Sequence, residues 1–349
     1  MREGLVVGWD IGGAHAKACL MVDGRVLDVA QWACPLWQGL EHLEQVLAAA
    51  QARWPEMTGA PHALTMTGEM VDLFAHREEG VQRIAALAAR RLGQVRCFAG
   101  DGGWIDVHEA GAHWAQIASA NWLATARHAA QCVDEGVLVD IGSTTTDLIA
   151  FRKGRVLARG RSDAGRLATG ELVYHGVVRT PLCALGPRIA WRGEPLNVMN
   201  EFFATTADVY RLTGELDLAH DLHPAADGGA KDMQGTRRRM ARMIGLDARD
   251  GTPADWLSMA HAWRAAQVAE LGGQLQRVAA LHGLSEAAVA VSAGCGDFLV
   301  PDVLAHAGRP HRCLPYGTAV ARAEPGLAGW AQVCAPCVAV AALYDKEWR

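Results

Sequence analysis

One internal repeat constrains this chain more than any other feature. The run Val7-Gly-Trp-Asp-Ile-Gly-Gly, continuing to Asp23-Gly-Arg-Val-Leu27, returns as Val137-Leu-Val-Asp-Ile-Gly-Ser, continuing to Lys153-Gly-Arg-Val-Leu157. Without a gap, Val7, Asp10, Ile11, Gly12, Gly24, Arg25, Val26 and Leu27 match Val137, Asp140, Ile141, Gly142, Gly154, Arg155, Val156 and Leu157, each 130 positions further on. Self-similarity of this kind predicts two copies of one structural unit. Each copy reads as an apolar strand ending in Asp, a small-residue turn, a second strand, a tight turn and a third strand. Asp23-Gly24 is a strong two-residue hairpin signal, and Lys153-Gly154 a looser version of it.

The 349 residues suit roughly two domains. The repeat sets their expected extents: a first lobe over 1–133 and a second over 134–349, with a helical insertion at about 195–285. Apolar periodicity predicts helices over 39–54, 81–92, 114–131, 201–212, 232–244, 254–282 and 298–305, with another starting over 171–178. Short strands are expected at 63–66, 95–98 and 288–291, and an exposed loop at 218–229. The class is therefore α/β, built from a duplicated meander-plus-helix unit.

Charge and cysteine content narrow the function. The net charge is −5, and the densest basic cluster, Arg237 to Arg239, reads as a solvated helix edge, which argues against nucleic acid. Nine scattered cysteines read as reduced intracellular thiols. Cys334-Ala-Pro-Cys337 lacks a second pair of ligands at zinc spacing, so both are expected to be buried structural cysteines. The chain runs straight into a strand with no basic leader, and its longest apolar stretch, 338–343, is too short to span a bilayer. The expectation is a cytoplasmic protein acting on small molecules, with no membrane partner and with homo-oligomerisation left open.

The chemistry concentrates in three turns. In Asp10-Ile11-Gly12-Gly13-Ala14-His15-Ala16-Lys17 the glycines let backbone N–H groups approach an anion. Asp10 suits a hydrated magnesium ion, and Lys17 offers a compact charge to a phosphoryl oxygen. His15 joins Gly12 and Gly13 as a candidate phosphate contact. The second copy supplies Asp140 and Gly142 with a run of hydroxyl donors, Ser143, Thr144 and Thr145, followed by Asp147. Two such hairpins facing each other across a cleft would clamp a phosphate chain. The third turn, Ser292 to Asp297, follows a strand and precedes a helix; Gly294, Gly296 and Asp297 there suit an anion or the face of a nucleobase. Glu69 and Asp72 lie three apart after a strand, either lining a substrate pocket or capping a helix. Asn121 reads as structural. In the polar run Arg166, Glu171, Tyr174, Arg179 and Thr180, Arg179 is placed to grip a carboxylate or phosphate.

At these turns the sequence resembles the superfamily of actin, sugar kinases and heat-shock chaperones, and more narrowly its hydantoinase/oxoprolinase-related branch linked to tetrahydromethanopterin-dependent one-carbon transfer. The resemblance rests on Gly8 to Ala18, Met66 to Phe74, Ser119 to Ala124, Leu138 to Asp147 and Gly170 to Pro181, and spans nearly the whole chain. It implies two ribonuclease H-like, actin-like lobes around a central cleft. The branch includes the methanofuran-biosynthesis enzyme that joins an aminomethylfuran diphosphate to the phenol of γ-glutamyltyramine, or a tyrosine-type analogue, releasing pyrophosphate. Read that way, Mg2+ (with ATP or a diphosphate substrate) would sit with Asp10 and Asp140, Lys17 would support the leaving group, and either aspartate would serve as base. His15 departs from the small polar residue usual at its position. An ATP-dependent kinase and a nucleotide-switched scaffold are the competing readings; hydantoin or oxoproline hydrolysis rests on the family name alone.

Overall fold

Seven consecutive buried residues, Leu5–Ile11, form β1, the unbroken apolar run of a strand covered on both faces. In the computed structural model, which describes residues 4–309 and 312–347, β2 (His15–Val22) and β3 (Arg25–Ala33) continue it as an antiparallel meander. Next come β4 (His62–Met66), parallel to β1, β5 (Val95–Phe98), parallel to β4, and β6 (Trp104–Asp106), antiparallel to β5. The sheet order is β3-β2-β1-β4-β5-β6.

The second sheet repeats this pattern. Its strands are β7 (Glu135–Ile141), β8 (Thr146–Arg152), β9 (Arg155–Val156) and β10 (Leu172–Val173), then, after a separate hairpin of β11 (Arg188–Trp191) and β12 (Glu194–Asn197), β13 (Val289–Ala293) and β14 (Cys313–Pro315). The order is β10-β8-β7-β13-β14 with β9 also on β8, so β3-β2-β1-β4-β5 recurs as β9-β8-β7-β13-β14. The tight turns match in detail. Asp23 and Gly24 have φ of 52° and 73°, Lys153 and Gly154 have 51° and 73°, the paired positive values of a two-residue hairpin.

The chain forms two compact units that are interleaved, where the sequence reading places a single cut after 133. One comprises the chain up to Leu138, Ile149–Ala158 and the chain from Leu314 on; the other comprises Val139–Leu148 and Arg159–Cys313. Packing explains the return of the C-terminal segment to the first unit. The helix Ala335–Glu347 lies on β1 so closely that a side chain at Gly8 would clash with the Cys337 carbonyl and sit 2.8 Å from Ala341 Cβ. Cys334 and Cys337 are fully buried here, as expected of structural cysteines.

In the second unit, the expected insertion holds the helices Thr206–Thr213, Met233–Arg242 and Pro253–Leu281. The last starts at a Thr252/Asp255 capping box with Pro253 in its first turn, a local stop-start signal legible in the sequence. Arg239 is not on a solvated edge. It is fully buried and donates to Asp208 (2.9 Å) and Asp227 (3.1 Å), while Arg211 donates to the same Asp208 (2.6 Å) and to Asp221 (2.7 Å). Charges buried this deeply are tolerable only when paired and hydrogen-bonded. The segment 218–229 is an exposed loop in part: Leu218 is 71% exposed, yet Asp221 is held under Arg211.

Two helices differ from expectation for tertiary reasons. The predicted helix over 114–131 breaks into Trp114–Ile117 and Asn121–Cys132, with Ser119 between them at φ 50°. There Ala118 bridges to Met66, and the Ser119 hydroxyl donates to Glu69. Residues 171–178 form no helix: Leu172 and Val173 pair with β8, and the following residues make a loop. Among the described residues, no single helix is long and apolar enough to cross a membrane.

Replacing Gly8 with Ala forces a methyl group into backbone. We expect it to destabilise the protein by about 1–3 kcal/mol, read as a lower thermal midpoint; an unchanged midpoint would mean that the β1–helix contact gives way freely.

Candidate functional site

The repeat's two Asp-tipped strands end in turns closed by the same bond. Gly12 N–H donates to His15 O at 2.9 Å, and Gly142 N–H donates to Thr145 O at 2.8 Å. Each turn has its carbonyls engaged from one side. In the first unit, Gly13 O accepts from Leu36 N (3.0 Å) and Ala14 O from Cys34 N (2.8 Å). In the second, Gly142 O accepts from Val177 N (3.0 Å), and Ser143 O from both Val178 N (3.0 Å) and Arg179 N (2.8 Å). In a trans peptide the C=O of one residue and the N–H of the next point to opposite sides. Pinning these carbonyls therefore turns the N–H groups of Ala14, Ser143 and Thr144 the other way, the orientation of an anion-binding nest.

Beside the first turn, Asp10 is 5% exposed and lies opposite Lys17 across the β1–β2 ladder. Lys17 donates to the carbonyl of Val333, at the end of the helix Pro325–Val333, at 3.3 Å. Its charge is thus engaged there, and its bearing on an anion is that of a neighbour of Asp10. His15, 7% exposed, opens β2. Thr67 and Gly68, which follow β4, pack on this turn: Thr67 N donates to Ile11 O at 2.9 Å, and a side chain at Gly68 would meet the carbonyls of Ile11 and Gly12 at 3.1 and 3.2 Å. Glu69 is buried and accepts from Ser119 Oγ at 2.8 Å, whereas Asp72 is exposed; the two do not share a helical face, because Gly68–Met70 is a single 3-10 turn that ends at the extended Val71, and Asp72 lies in the next turn. Asn121 opens its own helix, and its Oδ1 accepts from Trp122 N (2.8 Å).

In the second unit, the third turn comes directly to Asp140. Gly294 stands at φ 86°, and a side chain there would meet Asp140 Oδ1 at 2.6 Å and clash with the Ile141 carbonyl. Gly296 N donates to Ile141 O at 2.8 Å, the counterpart of the Thr67–Ile11 bond in the first unit. Asp297 begins the short turn that leads into the helix Val300–His306. The second turn, Gly142 to Thr145, thus has Asp140, Gly294 and Gly296 on one flank and Arg179 on another. The Arg179 guanidinium reaches Thr144 Oγ1 at 3.5 Å, and burial pushes its pKa below the usual arginine value, a cost that an anionic neighbour would offset.

Asp147 is a correction. Its carboxylate pairs with Arg166, which also donates to Asp163 at 2.7 Å, and burial pushes Asp147 upward. It holds β8 to the helix Asp163–Thr169, with its carboxylate engaged by Arg166. Sequence reasoning also missed the brace behind the second turn. A side chain at Gly176 would clash with the Ser143–Thr144 peptide, and only the polar character of the Arg166–Thr180 run hinted at it. Nothing in the sequence marked Cys34 and Leu36 as the brace of the first turn.

Among the described residues, no group of three or more His, Cys, Asp and Glu side chains is placed to hold a metal by itself. Magnesium keeps several waters and takes phosphate oxygens from its substrate, so one or two carboxylates suffice. Asp10 and Asp140, each at a strand end beside a nest, fit that requirement.

With this geometry in place, the class of fold and the family can be stated. The doubled meander-plus-strand topology is that of the actin-like ATPases, two ribonuclease H-like folds in one chain. The nucleotide-free structure of acetone carboxylase shares the fold, with a TM-score of 0.54 at 11% identity over 97% of this chain and 70% of that one. Residues 61–331 match the hydantoinase/oxoprolinase family, to which this chain belongs. Its relatives include the (4-{4-[2-(gamma-L-glutamylamino)ethyl]phenoxymethyl}furan-2-yl)methanamine synthase of Methanocaldococcus jannaschii, 31% identical over 70% of this chain and 72% of the relative. The synthase of the same name from Methanococcus vannielii is 28% identical over 51% of this chain and 79% of the relative.

The second unit also carries a buried acid with a testable pH signature. Burial pushes Glu171 up, but donors from Gly160 N, Arg159 N, Thr169 and His282 outweigh it and hold the carboxyl below its usual 4.5. A carboxylate depressed in the folded state stabilises above its unfolded pKa, and that stability is lost as pH falls through the folded pKa. Glu171→Gln is therefore expected to lower the thermal midpoint at neutral pH and to flatten its fall below about pH 4.5. A melting series from neutral to acid pH checks both; an unaltered slope would mean that Glu171 is not the titrating group.

Proposed function

We propose that this protein is an aryl-ether-forming transferase that acts on a furanylmethyl diphosphate. The relatives synthesise a furan methanamine whose phenoxymethyl group joins a phenol oxygen to a methylene on the furan. Forming that bond from an activated furan requires a leaving group, and diphosphate is one that an amide nest of this kind suits. The reaction breaks the bond between the methylene carbon and the diphosphate oxygen, forms a bond from that carbon to the phenol oxygen, and releases pyrophosphate and a proton.

The observation that carries this reading is the orientation of the turn amides. Pinned carbonyls leave the N–H groups of Ala14 in the first turn, and of Ser143 and Thr144 in the second, directed at whatever anion each turn receives, without reorganisation when charge develops on the leaving oxygen. Arg179, alongside Ser143 and Thr144, adds a charge-assisted donor to the same group. Magnesium, held by Asp140 or Asp10, would neutralise the diphosphate oxygens. The phenol, with an ordinary pKa of about 10, gains from a carboxylate that accepts its proton; Asp140 or Asp10 takes that role. Lys17 acts on Asp10 through the ladder that places them opposite each other. Small molecules are the partners of such a site.

The test is product analysis by mass spectrometry after mixing the protein with magnesium, a furanylmethyl diphosphate and γ-glutamyltyramine or a tyrosine-type phenol. Ether and pyrophosphate are expected in equal amounts, with Asp140→Asn abolishing both and Arg179→Gln raising the KM for the diphosphate about tenfold, ~1.4 kcal/mol. ATP turnover with magnesium alone, and no ether, would transfer the case to a kinase.

A further inference from the structure

The loop that braces the second turn is held from behind by two buried side chains far away in sequence. Gln267, 1% exposed on the long helix Pro253–Leu281, donates Nε2 to Gly176 O at 3.0 Å and accepts at Oε1 from the Tyr210 hydroxyl at 2.7 Å. Tyr210 is fully buried in the helix Thr206–Thr213, and its ring meets the edge of Phe298 at 5.1 Å, one residue beyond Asp297 of the third turn. Gly176 N donates to Thr180 Oγ1 at 2.8 Å, so both polar groups of this residue are fixed. The bare Cα of Gly176 then lies against the Ser143–Thr144 peptide, and Val177, Val178 and Arg179 donate to the turn's carbonyls.

We infer that Gln267 and Tyr210 are positioning residues for the second turn: through Gly176 they set the direction of the Ser143 and Thr144 amides, and with it the affinity for a phosphoryl group. This rests on the reading of that turn as a diphosphate receptor. The side-chain chemistry leaves little choice. Gly176 O can only accept, so the amide nitrogen of Gln267 must face it, which leaves Oε1 to accept from Tyr210. Glutamine alone supplies a neutral donor and acceptor on one plane at this length. Glutamate would set an oxygen against the Gly176 carbonyl and push the brace off the turn.

Pyrophosphate with magnesium is the probe, measured by calorimetry on the full chain well below its thermal midpoint. Gln267→Glu is expected to weaken pyrophosphate binding about tenfold, ~1.4 kcal/mol, and to raise the KM for the diphosphate while leaving the KM for the phenol unchanged. Tyr210→Phe, which loses only the outer bond, is expected to weaken binding two- to threefold, and it keeps the test open if the first variant does not fold. A lower thermal midpoint with wild-type pyrophosphate affinity in both variants would reduce the pair to core packing and overturn the inference. Wild-type protein that ignores pyrophosphate would remove the diphosphate reading, and the positioning role with it.

Discussion

A peptide plane has two polar edges, and fixing one edge fixes the other. Both turns of the repeat depend on that coupling. Neighbouring segments take the carbonyls of Gly13, Ala14, Gly142 and Ser143, and the amides on the far edges are left oriented. The neighbours are unrelated: the first turn leans on Cys34 and Leu36, just past β3, and the second on Val177 to Arg179. The same geometric outcome thus rests on different supports in the two turns. What the two turns share is the Gly N–H that closes each hairpin and the aspartate that ends each incoming strand.

Much of this was legible in the sequence because it is local. The Asp-Ile-Gly turns, the Asp23-Gly24 and Lys153-Gly154 hairpins and the Thr252 cap depend on residues within a few positions, and all stand where their chemistry put them. What was not legible depends on distant partners. Ser119 breaks a helix because its hydroxyl meets Glu69 fifty positions away. Valines at 177 and 178 leave the helical pattern because turn carbonyls claim their N–H groups. Arg239 is buried because aspartates from two other segments converge on it, so a basic run that looks solvated is split between core and surface. Asp147 lies inside the turn motif, yet Arg166 takes it. Position in a motif does not reveal which neighbour reaches a side chain first.

The second unit is packed tightly around Asp140. Gly294 leaves no room for a side chain beside Asp140, so the third turn closes on that carboxylate without displacing it. Arg166 pairs with Asp147 and Asp163, and Arg264 with Glu215 and Asp302, while burial pushes the pKa of Arg179 below the usual arginine value. In this chain the candidate groups are thus carried by loops at the strand ends, in keeping with the rule that function resides in sites and not in folds.

The interleaving of the units bears on how the chain is made. Strand β1 leaves the ribosome long before the helix Ala335–Glu347 that covers Gly8. Between the two events that strand has one apolar face without its cover, while the other unit, whose last segment ends at Cys313, can already close. Uncovered apolar surface of this kind is prone to aggregate, so the vulnerable species during synthesis is the unit whose covering helix is made after its sheet.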